Sequence, residues 1–88
     1  MGAIFNKDLA LQLQQKYDEA IEYYNKTLSF NPNHTNAMNG IATVLFDQQK
    51  FDKSLQYFDQ VLSINPNDIY ALNGKIIIFS SIGNIMKH

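Results

Sequence analysis

The sequence contains no cysteine, and only four glycines and two prolines. Without cysteine there is no disulfide framework, no thiolate nucleophile and no cysteine-based zinc site. The first residues form no long apolar run, so neither a signal peptide nor a membrane span is predicted, and we expect a cytoplasmic protein without membrane partners. The seven Lys and Arg residues form no basic patch and the net charge is −1, which argues against a nucleic-acid partner.

Residues suited to catalysis are also scarce. The two histidines, His34 and His88, fall in a predicted turn and at the last position, and no H-E-x-x-H or comparable ligand spacing occurs. Acidic pairs such as Asp18 and Glu19 are expected in the first turn of a helix, where carboxylates interact favourably with the helix dipole. We therefore predict no catalytic residue, no metal site and no cofactor, and a protein that is not an enzyme.

The chain does contain an internal repeat with a period of 34 residues. Asn31-Pro32-Asn33 recurs as Asn65-Pro66-Asn67, and the segment 17–24 aligns with 51–58 at the same offset. A fixed period of this size predicts a repeated supersecondary unit. We therefore expect one domain over residues 1–88, divided into repeat one (1–34), repeat two (35–68) and a partial repeat three (69–88).

Each full copy has the pattern of two helices joined by a short polar break. In the second half of copy two, Leu55, Phe58 and Leu62 recur at spacings of three and four and share one helical face. The breaks are predicted at Gln14-Gln15-Lys16 and at Gln48-Gln49-Lys50. A proline ends each copy, because it cannot continue a helix, and the asparagine after it is the expected N-cap of the next helix.

A last helix is predicted to begin near Ile69. The run Ile76-Ile77-Ile78 would also suit a strand, since β-branched residues favour strands. The repeat register favours a helix, because the corresponding positions of the earlier copies have helical periodicity. The predicted total is five helices.

These features resemble the tetratricopeptide repeat (TPR) family. Its alanine position is occupied by Ala20 and Ser54, its aromatic position by Tyr24 and Phe58, and its proline follows at the end of each copy. The first helices fit less closely, because the small-residue position holds Asp8, Ala42 and Ile76. The resemblance implies an all-α fold, an α-solenoid of antiparallel helix hairpins that forms a TPR-like superhelix.

The resemblance also implies a function, which is to bind a peptide or a helix of a partner protein in a concave groove. This groove would be formed by the first helix of each repeat. Two of its residues, Asn39 and Asn73, occupy equivalent positions, and their amides could either bond a peptide backbone or be ordinary surface groups. The full predicted set is Phe5, Leu9, Gln12, Asn36, Asn39, Thr43, Phe46, Tyr70, Asn73 and Ile77.

The last predicted helix suggests an alternative function. It is apolar on more than one side, which is unusual for a terminal repeat, so we expect either further repeats or packing against a second chain. A homo-oligomer, as a dimer that exchanges this helix, is the second hypothesis, and the repeat portion of a larger multidomain protein or enzyme is the third. The predicted self-association residues are Ile76, Ile78, Phe79, Ile82, Ile85 and Met86.

Overall fold

A computed structural model describes the backbone of residues 2–86 and the side chains of residues 12–83. Within residues 2–86 the chain forms four helices and no strand. They are α1 (Gly2–Phe30), α2 (Thr35–Asp47), α3 (Phe51–Ile64) and α4 (Ile69–Met86). The predicted all-α class is confirmed, and the predicted count of five helices is wrong, because α1 continues through the break expected at Gln14-Gln15-Lys16.

The two Asn-Pro-Asn turns have the same hydrogen bonds. After α1, the His34 amide donates to the Asn31 carbonyl at 3.1 Å, and the Asn33 amide donates to Asn31 Oδ1 at 3.3 Å. After α3, the carbonyl and side chain of Asn65 accept the same two bonds at 3.1 and 3.3 Å. The first asparagine of each tripeptide therefore closes the turn.

The N-caps lie one residue later than predicted. His34 Nδ1 accepts a hydrogen bond from the Ala37 amide at 3.1 Å, and Asp68 Oδ1 accepts one from the Ala71 amide at 2.9 Å. Asn33 and Asn67 lie inside the turns instead. His34 and Asp68 are equivalent positions of the repeat, so both α2 and α4 begin in the same way although the capping residues differ.

The α2–α3 connection is a tight hairpin. Gln49 has a left-handed backbone with φ of 62°. Its amide donates to the Phe46 carbonyl, and the Lys50 amide donates to the Leu45 carbonyl, both at 2.8 Å. This pair of bonds is the Schellman motif, which satisfies the last carbonyls of a helix. It reverses the chain so that α3 packs antiparallel to α2.

The core lies between α2, α3 and α4. It consists of buried apolar side chains from all three helices, namely Met38, Ala42, Phe58, Val61, Ala71 and Ile78. At its centre Ser54 is fully buried and its Oγ donates to the Ala42 carbonyl at 2.7 Å, which brings α2 and α3 close together. The second half of α1 packs on the other side of α2.

Two glycines allow helices of neighbouring repeats to approach closely. A Cβ atom on Gly74 would lie 2.5 Å from Phe58 Cε2, and one on Gly40 would lie 2.6 Å from Tyr24 Cε1. Real Cβ atoms do not approach other carbon atoms so closely, so each ring lies directly on helix backbone. The repeated aromatic residues therefore serve as packing residues between one repeat and the next.

Candidate functional site

A cavity of about 360 Å³ opens between α2 and α4. Its floor is the ring of Phe58, which reaches between the two helices from α3 and lies against Gly74. The cavity is large enough for one or two apolar side chains of a ligand. Its walls come from both helices, namely Thr43, Phe46 and Asp47 of α2 and Tyr70, Asn73, Gly74 and Ile77 of α4.

A chain of hydroxyl groups crosses one wall of this cavity. Thr43 Oγ1 donates to the Asn39 carbonyl at 2.8 Å, and it lies 2.8 Å from the Tyr70 hydroxyl. Because a threonine hydroxyl has one proton to donate, the proton of the second bond comes from Tyr70. The Tyr70 oxygen keeps its acceptor capacity for a donor that enters the cavity.

The cavity is lined mainly by apolar groups, and Asp47 is its one charged lining residue. Asp47 is exposed at its rim, and no Lys or Arg is among the residues that line it. The rings of Phe58 and Tyr70 are 6.3 Å apart and tilted by 49°. Such a surface suits an apolar side chain that is accompanied by a positively charged neighbour.

Asn39 does not take the predicted place in the groove. Its side chain is 6% exposed, and Nδ2 is bonded to Asp68 Oδ1 at 3.4 Å. The prediction of a ligand contact is wrong for this residue, because its side chain is buried and its Nδ2 donates to the carboxylate that caps α4. Asn73, at the equivalent position one repeat later, is exposed and lines the cavity.

The remaining predicted groove residues fall into three groups. Thr43, Phe46, Tyr70 and Ile77 line the cavity together with Asn73, whereas Gln12 and Asn36 are exposed elsewhere. The side chains of Phe5 and Leu9 lie outside the described residues. Sequence reasoning missed Asp47, Phe58 and Gly74 as lining residues. The 34-residue alignment of Asn39-Gly40 with Asn73-Gly74 was the available signal for the last of them.

A second surface of note is an apolar stripe on α4, formed by Leu72, Ile76 and Phe79. Ile76 is 63% exposed and Phe79 is 55% exposed. Ile78, predicted on this surface, is fully buried in the core, since it faces α2 and α3, so that part of the prediction is wrong. Ile82 is half-buried against the core, and the side chains of Ile85 and Met86 lie outside the described residues.

A salt bridge fixes α4 against α3. Lys75 Nζ lies 2.7 Å from Asp59 Oδ1, and both side chains are partly exposed. The pair contributes little free energy at such a site, about 0–1 kcal/mol.

Neither a metal-binding cluster nor a membrane-spanning helix occurs among the described residues. No group of three or more His, Asp or Glu side chains among them is placed to hold a metal ion. No helix in that part of the chain combines the length and apolar content that a bilayer crossing needs.

The α2–α3 hairpin, the equivalent turns and the ring-on-glycine contacts together define an all-α helical repeat protein. The sequence profile of the tetratricopeptide repeat matches residues 11–75, which is more than half of the chain. The chain therefore belongs to the tetratricopeptide repeat family, as the 34-residue period predicted. Members of this family are typically non-catalytic protein-interaction modules. No protein of curated function matches the sequence.

Proposed function

We propose that this protein is a non-catalytic interaction module that binds a peptide or a helix of a partner protein in the groove between α2 and α4. The observation that carries the proposal is the cavity above Phe58, which has an apolar floor and hydrogen-bonding groups on its walls. In this proposal, residues 1–88 form one domain with the predicted repeat boundaries and superhelical arrangement.

The groups around the cavity support a specific kind of ligand. Phe58, Tyr70 and Ile77 offer apolar contact, which provides most of the affinity in such pockets. The free acceptor of Tyr70 and the amide of Asn73 can bond a peptide backbone. Asp47 at the rim adds attraction for a Lys or Arg, so we expect an apolar residue next to a basic one in the ligand.

A displayed library of random peptides tests this function. Selection on the purified protein should enrich sequences with an apolar residue beside a basic residue, and calorimetry should then measure their affinity. Ile77→Asp should weaken binding at least about tenfold, because it places a second carboxylate against the apolar cavity. Absence of enrichment, or full binding by Ile77→Asp, would contradict the proposal.

The matched control for that experiment is the neighbouring residue. Both residues are exposed, Ile76 at 63% and Ile77 at 51%, but Ile76 does not line the cavity. Consecutive helical residues point about 100° apart, so Ile76→Asp adds the same charge to the same helix on another face. It should leave peptide affinity unchanged.

Self-association is a second proposed function, and the exposed stripe of Leu72, Ile76 and Phe79 supports it. Large apolar side chains in one continuous stripe commonly mark an interaction surface. A dimer formed through α4 is the simplest form of this proposal. Light scattering over a range of protein concentrations tests it, and a constant monomer mass would contradict it.

A further inference from the structure

Within residues 2–86, the two ends of the helix array lack opposite halves of the same helix pair. In the middle of the protein, α2 buries Met38, Ala42 and Leu45, and α3 buries Ser54 and Phe58. At one end, the residues of α4 that are equivalent to Met38, Ala42 and Leu45, 34 residues later in the chain, are exposed. At the other end, the second half of α1 contains the residues that are equivalent to those of α3.

The α4 end presents the surface of a first helix. Leu72, Ile76 and Phe79 are the equivalents of Met38, Ala42 and Leu45. The α2 residues are at most 6% exposed, whereas Leu72 is 42% exposed and the other two more. The difference arises because no helix in the described chain takes the place on α4 that α3 takes on α2.

The α1 end presents the surface of a second helix. Ala20 and Tyr24 are the equivalents of Ser54 and Phe58, and they are only half-buried. Since α1 continues as helix through residues 14–16, no helix of the described part of the chain folds back over them. Leu13 and Tyr17 extend the same stripe toward the N-terminus, because spacings of three and four keep residues on one face.

We infer that α4 of one copy packs antiparallel on the Leu13–Tyr24 stripe of α1 in another copy, so that two chains together rebuild the α2–α3 pair. This inference rests on the proposed self-association through α4 and is independent of peptide binding in the groove. It specifies the partner surface, which an α4–α4 dimer would leave uncovered.

The sequence favours α4 of a second copy over the chain's own first residues as the occupant. If residues 2–13 folded back on α1, the repeat register would place the Asp8 carboxylate opposite Ala20, where Ala42 contacts Ser54 in copy two. Burial of an unpaired carboxylate is strongly unfavourable. In α4 the same position is Ile76, whose side chain is apolar.

The lengths of the two helices also agree with this arrangement. Copy two turns at residues 48–50, but α1 and α4 both continue as helix past the equivalent positions. Two straight helices can pair antiparallel over a greater length than a closed hairpin. Because no loop joins them, their separation can adjust within 8–10 Å to fit Ile76, which is larger than Ala42.

The contact joins different surfaces of the two chains, so each bound copy still offers one free end. Such heterologous contacts produce growing chains or closed rings. Sedimentation of the wild-type protein should therefore show a mass that rises beyond the dimer as concentration increases from low micromolar to near-millimolar. A monomer throughout this range, or a mass that stops at the dimer, would overturn the inference.

A mixing experiment with two variants tests the surfaces directly. Ile76→Asp removes the α4 surface and Ala20→Arg removes the α1 surface, so each variant alone should be monomeric. Their mixture has one intact surface of each kind and should form a one-to-one complex that grows no further. Association of Ala20→Arg alone, as an α4–α4 dimer predicts, would overturn the inference, as would a mixture that stays monomeric.

Matched controls separate these effects from loss of fold and from loss of groove function. Glu22→Arg lies on the opposite side of α1, and Ile77→Asp lies on the groove face of α4, so both should associate like the wild type. Circular dichroism should show unchanged helicity in every variant. If Ala20→Arg loses helicity, Leu13→Arg, at a position 42% exposed, replaces it with the same expected result.

Discussion

Gln14-Gln15-Lys16 lies inside a straight helix, whereas the same tripeptide at Gln48-Gln49-Lys50 reverses the chain. The two segments occupy equivalent positions of the repeat. The Asn-Pro-Asn turns, also 34 residues apart, have the same structure in both copies. The difference between the two Gln-Gln-Lys segments therefore has a cause outside the tripeptide.

The turn has a local cost that its surroundings must offset. A left-handed backbone at a residue other than glycine costs about 1–2 kcal/mol. At Gln49 this cost is offset by the two Schellman hydrogen bonds and by the packing that the turn permits. Gln and Lys are good helix formers, so without such packing the tripeptide continues as helix.

The neighbours on each side decide the outcome. In copy two, Phe46 and Phe51 bracket the turn with ring centroids 5.5 Å apart, and the small Ala42 lets Ser54 approach its carbonyl. In copy one the residues equivalent to Phe46 and Ala42 are Gln12 and Asp8. A closed hairpin there would lose the ring pair and bury a carboxylate.

The largest expected effect on stability comes from placing an aspartate at Ala42, the position of copy two that is equivalent to Asp8. Ala42→Asp should destabilise the protein by at least about 3 kcal/mol, because it buries an unpaired charge between α2 and α3. Urea unfolding followed by circular dichroism measures the loss. Asn36→Asp, an exposed position in the same helix, is the control and should change stability little. Equal effects of the two variants would contradict the explanation.

The reverse change should make copy one fold into a helix hairpin with a turn at residues 14–16. The triple variant Asp8→Ala, Gln12→Phe and Gln15→Gly gives the first copy the packing residues of the second and a glycine for the turn. Spin labels on Lys7→Cys and Lys26→Cys would be about 28 Å apart along a straight helix with a rise of 1.5 Å per residue. The absence of native cysteine makes this labelling specific.

In the triple variant the distance between the two labels should fall well below that of the straight helix. An unchanged distance would show that Asp8 and Gln12 are not what keeps α1 straight. The single variant Asp8→Ala is the intermediate case and should populate both distances.

A moderate effect is expected at the contacts that both copies share. Either substitution, Gly40→Ala or Gly74→Ala, should lower the free energy of unfolding by a net of about 1–2 kcal/mol. The reason is that overpacking against the aromatic ring outweighs the gain of about 1 kcal/mol in helix propensity. Gly83 is the control, since a Cβ there would meet no atom within 4 Å. Gly83→Ala should be neutral or stabilising in thermal unfolding. Stabilisation by Gly74→Ala would refute the close approach to Phe58.

The smallest expected effect is that a glycine at the middle position of Gln-Gln-Lys changes stability in opposite directions in the two copies. Gln49→Gly should stabilise the protein by about 1 kcal/mol, because glycine adopts a left-handed backbone without the steric cost. Gln15→Gly should instead weaken α1 by about 0.5–1 kcal/mol. Denaturation midpoints measure the first, and hydrogen exchange of residues 12–18 measures the second. The same sign at both positions would show that the two segments do not differ as described.

Sequence reasoning predicted those elements whose signals are local. The Asn-Pro-Asn turns and the start of α4 at Ile69 follow from proline and the repeat register. The break at Gln14-Gln15-Lys16 was wrongly predicted, because the turn at the equivalent segment 48–50 depends on the packing of Ala42 against Ser54, which lie outside that segment. No pattern within the tripeptide itself carries that information.

The candidate site was predictable to a similar extent. Thr43, Tyr70 and Ile77 could be placed in the groove by their repeat positions, and the structure brings them around one cavity. Asn39 could not be excluded in advance, because its burial depends on Asp68, which lies 29 residues away. Ile78 was likewise misplaced, since a helix that is apolar on several sides does not reveal which side faces the core.

The rings of Tyr24 and Phe58 have one more consequence. Each lies flat on a glycine of the next repeat, so the thickness of an aromatic ring sets the separation between successive repeats. A family member with a leucine at this position and alanine in place of the glycine would keep the same volume but a different spacer shape. The tilt between repeats, and with it the width of the groove, would then be set by this pair of positions, one on each side of the contact between repeats.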